Sequence, residues 1–325
     1  MNSAFSEYLR FKKELLSVAG LGATLSHYDR FVTALNDSFR VLTVLRSVDG
    51  PAKHCLMLAE YQLATPPETG DATLIECPDG PEDDALLPYL TEYPVREGEL
   101  ICLDATGFLR PHLLYLLAFL FESGVKKLDV LYSEPKRYEK GSATSFSGQV
   151  TEVRQVRGFE GVHDATGEDD MLLVGCGYDT QAMSAVATDK MLATKKVQMF
   201  PFPPLRPHMY QENRLRTEAC ATAFGEILEV LFSPGYDPFV TAQVLSKTWE
   251  RHRSRVKNLY LSPLATKPQV LGFGLFYLRE CRGSAASILM PISDTYNRET
   301  SVGLSEIWRY RIDFERLRGD AGAKQ

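Results

Sequence analysis

Two stretches of this sequence share an ordered set of landmarks, and this repetition limits the possible folds more than any other feature. The stretches are residues 99–156 and 257–313. In each, an apolar strand-like run leads into a short loop that ends in a basic residue and a proline, Arg110-Pro111 or Lys267-Pro268. Because proline is favoured in the first turn of a helix, each pair predicts a helix start. The sequence therefore predicts one strand–loop–helix unit twice.

The similarity continues beyond the two predicted helices. Each stretch reaches a tyrosine, Tyr138 or Tyr296, and then a Thr-Ser pair whose serine is Ser145 or Ser301. The ordinary rules of β-α-β units explain repeated prolines and glycines without a common origin. They do not require the paired tyrosines or the Thr-Ser pairs. We therefore favour an internal duplication and keep those ordinary rules as the alternative.

The fold class follows from the alternation of strand and helix patterns. From Glu99 onward, apolar strand-like runs alternate with helical patterns, one of them over 211–232, as in mostly parallel sheets with helical crossovers. Upstream, residues 4–36 have helical spacing, which predicts an N-terminal helical pair, and the apolar run 41–45 predicts a strand. We expect an α/β protein of two Rossmann-like strand–loop–helix–strand halves with a mostly parallel sheet, preceded by that helical pair.

The length of 325 residues accommodates more than one closely packed domain. We expect four segments along the chain. They are an N-terminal helical segment over 1–38, a first α/β half over 39–156, a central α/β connector with a helical pair over 157–256, and a second α/β half over 257–325.

Composition excludes several classes of function. With 36 basic and 42 acidic residues the formal charge is −6, so non-specific binding to nucleic acid is not expected. The longest apolar run, Leu113 to Phe121, is about half of a bilayer crossing, and the first residues do not resemble a signal peptide. The six cysteines show no C-x-x-C spacing, which disfavours a metal site and fits a reducing compartment. We expect a cytoplasmic protein that contacts no membrane.

Three loops are expected at the carboxyl ends of strands, where parallel α/β sheets bind ligands and helix N-termini offer free amides to anions. Arg110 and Lys267 could add a cation to an anion held there. The alternative is that Arg110 and Lys267 are solvated charges and that Thr106 and Thr266 only cap their helices. The small and hydroxyl-bearing candidates for ligand contact are Thr106, Gly107, Gly175, Gly177, Tyr178 and Thr266.

The paired landmarks add further ligand candidates. Tyr138 and Tyr296 could stack on a base or a sugar, since a ring with a polar tip suits a half-exposed pocket. Ser145 and Ser301 could close a loop over the ligand. Ordinary packing for the tyrosines and plain turns for the serines are the alternatives.

Acidic residues near predicted strand ends are the candidates for catalysis. Asp104 could orient a substrate or act as a general base, and Glu134 is a second candidate. The counterpart of Asp104 in the second stretch is Ser262, which cannot act as a general base in the same way. Gly175 and Gly177 match the first two glycines of a dinucleotide-binding fingerprint, but Thr180 occupies the position of the third. The sequence also contains no phosphate-binding P-loop motif. No cofactor is expected.

The run ICLDATGFLRPHLLYLLAFL, followed by LDVLY, resembles the Asp-x-Thr-Gly-rich motif of the CRISPR-associated Rossmann-fold nucleotide sensors known as CARF domains. The similarity covers roughly thirty-five residues. In that family the loop continues as Gly-Thr-Lys, whereas Phe108-Leu109-Arg110 follows here. The resemblance implies recognition of a nucleotide or cyclic oligonucleotide at a symmetric interface, in prokaryotic immunity, through Asp104, Thr106, Gly107 and Arg110.

Three functions are therefore expected in order of preference. The first is a sensor or regulatory protein that binds a nucleotide-like anionic small molecule. The second is an enzyme that cleaves or transfers a nucleotide or nucleoside group, with Asp104 as its acid–base residue. The third is a non-catalytic scaffold. Self-association as a homodimer and a protein partner both stay open.

Overall fold

The computed structural model describes residues 7–138, 148–164, 167–296 and 301–319. Contacts divide the chain into two compact units. The first unit comprises Phe11–Phe146 and Thr295–Arg316. The second unit comprises Met1–Arg10, Ser147–Asp294 and Leu317–Gln325. Neither unit is continuous in the chain, whereas each predicted segment was.

Strands and helices alternate along the described residues. The strands are β1 (Lys12–Leu16), β2 (Arg30–Ala34), β3 (Ala52–Leu58), β4 (Thr73–Cys77), β5 (Ile101–Asp104), β6 (Lys127–Tyr138), β7 (Val150–Gln155), β8 (Met171–Gly175), β9 (Lys195–Pro201), β10 (Glu229–Ser233), β11 (Leu259–Pro263), β12 (Ala286–Ser293) and β13 (Ser301–Asp313). The helices are α1 (Leu21–Leu25), α2 (Phe39–Ser47), α3 (Glu82–Glu92), α4 (Arg110–Glu122), α5 (Thr180–Asp189), α6 (Met209–Glu218), α7 (Ala221–Phe224), α8 (Pro238–His252), α9 (Lys267–Phe276) and α10 (Phe314–Arg318).

Each unit contains one mostly parallel sheet. The sheet of the first unit has the order β1-β13-β6-β5-β2-β3-β4, and that of the second has the order β10-β9-β8-β11-β12-β7. The five strands β2 to β6 are parallel, as are β8 to β12. Numbered from β2 or from β8, both sets have the order 3-2-1-4-5. The predicted α/β class with two Rossmann-like halves is confirmed.

The last strand of each set is exchanged between the sheets. Strand β7 follows β6 in the chain but pairs antiparallel with β12. Strand β13 follows β12 but pairs antiparallel with β6. The two repeated stretches thus have the same elements in the same order, and each ends in the sheet of the other unit. The correspondence extends back to β2 and β8, further than the sequence landmarks reached.

The predicted N-terminal helical pair is wrong. Residues 12–16 form β1, which pairs with β13, and residues 30–34 form β2, the middle one of the five parallel strands. All five residues of β2 are buried. A short run that is buried on both faces has no alternation, so periodicity cannot distinguish it from a buried helix.

Two further assignments are corrected by the structure. Val41 to Leu45 lie in α2 and not in a strand, since Ser38 caps that helix and Val41, Val44 and Leu45 are its buried face. The helix predicted over 211–232 ends by residue 224, and Glu229–Ser233 form β10. A left-handed glycine at Gly225, with φ of 65°, separates these two elements.

Candidate functional site

Each unit has a topological switch point, the place where strand order reverses and where open α/β sheets bind ligands. The first switch point consists of the loops that follow β2 and β5 and lead into α2 and α4. The second switch point consists of the loops that follow β8 and β11 and lead into α5 and α9. Nearly all of the predicted ligand residues that the structure describes lie at one of these two places.

The loop after β5 is tied to the sheet by its own polar side chains. Asp104 Oδ1 accepts a hydrogen bond from the Thr106 amide at 3.0 Å. Thr106 Oγ1 in turn accepts one from the Ser133 amide on β6, also at 3.0 Å. Asp104 is fully buried and Thr106 is 1 % exposed. The predicted catalytic residue Asp104 and the predicted ligand residue Thr106 therefore fix the loop against its neighbouring strand.

Gly107 brings this loop against the loop that follows β2. A Cβ atom at Gly107 would lie 1.8 Å from the carbonyl oxygen of Ala34, so only glycine fits. The Tyr61 hydroxyl donates to the Gly107 carbonyl at 2.6 Å. Burial raises the pKa of Tyr61 above its usual range, and the charges of Glu60 and Tyr296 raise it further. Tyr296 is half-buried and interacts electrostatically with Tyr61.

Two arginines lie in the first turns of the helices at the first switch point. Arg40 is the second residue of α2 and Arg110 is the first residue of α4, and neither first turn contains an acidic residue. Arg40 also donates to the Ser133 carbonyl. A cation at a helix N-terminus opposes the helix dipole. The pair therefore favours an anion at this place.

The sequence predicted Arg110 but missed Arg40. The apolar run 41–45 predicts a strand, and this prediction hides the first turn of α2. The available signal was Asn36-Asp37-Ser38, a run of good capping residues. Ser38 Oγ does accept from the Val41 amide, at 3.4 Å.

Two hydroxyl groups at the same strand ends have unused hydrogen-bonding capacity. Thr33 Oγ1 on β2 and Ser133 Oγ on β6 are buried and have no hydrogen-bond partner among the described residues. Thr33 is the register partner of Asp104. A buried hydroxyl without a partner costs about 1–3 kcal/mol. Both groups are fully buried, so a ligand would reach them only if the loops move.

Both predicted catalytic carboxylates are bound in the interior of the first unit. Glu134 is 3 % exposed and accepts from the Trp308 indole nitrogen at 2.7 Å. Asp104 is bonded to its own loop, as described above. These contacts hold strands and loops together, and they favour a structural role for both acids.

The second switch point has the same topology but is covered by its own chain. A Cβ atom at Gly177 would lie 2.0 Å from the Leu264 carbonyl oxygen. Asn213 Nδ2 donates to the Cys176 carbonyl at 2.8 Å. Arg216 donates to the Tyr178 carbonyl at 2.6 Å and stacks 4.7 Å from the centre of the Tyr178 ring. Helix α6 therefore closes over the loop that contains Gly175, Gly177 and Tyr178.

The helix caps of the second switch point are also different. Asp179 caps α5, and its Oδ1 accepts from the Ala182 amide at 3.0 Å. Thr266 caps α9, where it accepts from the Gln269 amide at 3.4 Å. Lys267 then starts α9, in the position that Arg110 has in α4. A carboxylate already stabilises the N-terminus of α5, so a second anion there is disfavoured.

An open cleft of about 670 Å³ lies at the first turn of α5 and is lined by Gly148, Gln149, Val150 and Gln181. Its polar side chains are neutral amides.

Ser145 lies outside the described residues, as do the side chains of Tyr138 and Ser301. The backbones of Tyr138 and Ser301 are register partners in the sheet of the first unit.

The chain matches no known family model, no curated protein and no solved structure. Over the residues given above as described, no helix combines the length and apolar character needed to cross a membrane. Over the same ranges, no group of three or more His, Cys, Asp or Glu side chains is placed to hold a metal ion. The resemblance to CARF domains stays a prediction.

Proposed function

We propose that this chain binds a phosphorylated, nucleotide-like small molecule at the first switch point and acts as a sensor. The carrying observation is that α2 and α4, the two helices that start there, both have an arginine and no acid in their first turns. We also infer that the protein acts in the cytoplasm, which its six buried free thiols support.

An anionic ligand would interact favourably with both of these arginines. Free amides at helix N-termini and guanidinium groups both bind phosphate oxygens, and guanidinium binds them in a bidentate manner. At the start of α5, by contrast, the carboxylate of the cap Asp179 would repel an anion. This contrast supports the first switch point over the second as the anion site.

The nucleotide-like class is supported by the aromatic side chains beside the loop. Tyr61 contacts Gly107 directly, and the half-buried Tyr296 interacts electrostatically with Tyr61. A half-buried ring with a polar tip is suited to stack on a base while its hydroxyl contacts water or sugar. The resemblance of the Asp104 loop to CARF domains points to the same ligand class.

Binding without turnover is supported by the state of the two carboxylates. A general base must reach the proton that it removes. Asp104 and Glu134 are buried and accept hydrogen bonds from the Thr106 amide and the Trp308 indole. Buried carboxylates with these partners are better placed to stabilise the fold than to exchange protons with a substrate.

A thermal-shift screen tests the proposal. Inorganic phosphate, pyrophosphate, mononucleotides and dinucleotides are each titrated against the full chain, because a ligand at one hundred times its Kd stabilises the folded state by about 2.7 kcal/mol. We expect a rise in Tm for wild type that Arg40→Gln and Arg110→Gln each reduce. Lys267→Gln is the matched control and should keep the full response.

Chromatography of the nucleotide after incubation separates the sensor from the enzyme. Unchanged nucleotide is the expected result. Turnover that Asp104→Asn abolishes would replace the sensor with the enzyme alternative. A response lost in Lys267→Gln but kept in both arginine variants would place the anion elsewhere and contradict the proposal.

A further inference from the structure

An apolar surface surrounds the edge strand β10 in the second unit. We call it the β10 patch and define it as Phe202, Tyr210, Leu228, Val230 and Phe232. Leu228 and Phe202 are each 50 % exposed, Phe232 is 45 % exposed and Val230 is 39 % exposed. The ring centroids of Phe202, Tyr210 and Phe232 lie 5.1 to 6.2 Å from one another. The three rings therefore form one contiguous cluster beside the strand.

The β10 edge lacks the charges that protect the other sheet edges. Strand β1 reads KKELL, β4 reads TLIEC and β7 reads VTEVRQ, and each has charged side chains at exposed or half-exposed positions. Strand β10 reads EVLFS. Its one charge, Glu229, is bound by Arg251 at 2.8 Å. Edge strands are commonly protected from pairing by charges, prolines or bulges. An edge with a single, paired charge beside exposed aromatic rings is typical of an interface.

We propose that the β10 patch is the contact surface of a homodimer in which β10 pairs antiparallel with β10 of a second copy about a two-fold axis. A two-fold contact brings the same strand together with itself, so the strand must be complementary to its own reverse. Pairing centred on Leu231 places Val230 opposite Phe232 and Glu229 opposite Ser233. Two aromatic–β-branched pairs form, and no like charges meet.

Electrostatics do not oppose this pairing. The chain has a formal charge of −6, but the carboxylate at β10 is neutralised within its own unit by Arg251 and contacts His252 at 3.4 Å. All five members of the β10 patch are uncharged. A heterologous partner would need to supply an apolar strand of its own, whereas a second copy already has one.

Sedimentation velocity of the full chain over a range of concentrations tests the proposal. We expect wild type to form a reversible dimer. Val230→Lys places a cation opposite Phe232 and should raise the dimer Kd about tenfold or more. The matched control is Leu74→Lys. Leu74 lies on β4, which has the same place in the first sheet as β10 has in the second, and it is 38 % exposed against 39 % for Val230. This control should dimerise like wild type.

Two further measurements keep the result interpretable. The Tm of both lysine variants should stay near that of wild type, since both positions are exposed. Amide hydrogen exchange of residues 229–233 in wild type should slow as protein concentration rises. A wild-type monomer at every concentration would overturn the proposal. So would a dimer that Val230→Lys leaves intact, or one that both lysine variants weaken equally.

Discussion

The two switch points share one topology but differ in chemistry. At the first, neutral or absent side-chain caps precede helices that have Arg40 or Arg110 in their first turns. At the second, Asp179 caps α5, and α6 covers the loop through Asn213 and Arg216. A duplicated framework therefore does not imply a duplicated site. The sign of the charge at a helix start affects anion binding, and the two copies differ in this sign at α2 and α5 but not at α4 and α9.

The largest expected effect tests what the two switch points share. Gly107→Ala and Gly177→Ala should each destabilise the protein by about 3 kcal/mol or more, because the new methyl group would overlap a backbone carbonyl. Gly175→Ala is the matched control, since its nearest atoms lie at an ordinary 3.4 Å and it should cost about 1 kcal/mol or less. Urea denaturation measures all three. Mild effects at Gly107 and Gly177 would mean that these loops do not pack as described.

An exchange of cap residues tests what distinguishes the two switch points. Ser38→Asp should stabilise the ligand-free protein by about 0.5 kcal/mol, since it places a carboxylate at the start of α2. The same change should weaken anion binding about tenfold, because the new charge would repel the ligand. The reciprocal variant Asp179→Ser keeps a capping oxygen and should leave affinity unchanged. Denaturation and calorimetric titration with pyrophosphate measure both quantities. Equal affinity in wild type and Ser38→Asp would remove α2 from the anion site.

A smaller, pH-dependent effect should occur in both units. Burial lowers the pKa of His54 in the first unit and of His163 in the second. The folded state therefore binds fewer protons than the unfolded state just below the ordinary histidine pKa. Stability should be fully present above that pKa and should fall as the pH drops below it. His54→Gln and His163→Gln should each reduce this slope in denaturation curves between about pH 7 and pH 5. A slope unchanged in both variants would show that neither histidine contributes.

Local signals in the sequence predicted the repeated part of the fold. Apolar runs followed by Arg110-Pro111 or Lys267-Pro268 marked both β-loop-α units, because proline fixes a helix start within one turn. The central strand β2 was missed because it is buried on both faces. The exchange of β7 and β13 could not be predicted, since strand pairing depends on partners far away in the chain.

The candidate site was predictable only where a local motif marked it. Asp104, Thr106 and Gly107 were identified from a strand end followed by small residues, and the structure places them at one loop. Arg40 was missed because its helix was assigned to a strand. The cover of the second loop by Asn213 and Arg216 was also missed, because α6 is more than thirty residues away in the chain. Spacing alone gives no signal for such a contact.

Hydrogen–deuterium exchange with and without inorganic pyrophosphate tests the central claim most directly, because it reports on both switch points in one experiment. The account predicts slower exchange of amides in peptides that cover residues 35–42 and 105–113, with no change over 176–183 and 264–270. Protection confined to the second pair of peptides, or equal protection of both pairs, would contradict the claim that only the first switch point has kept an anion site.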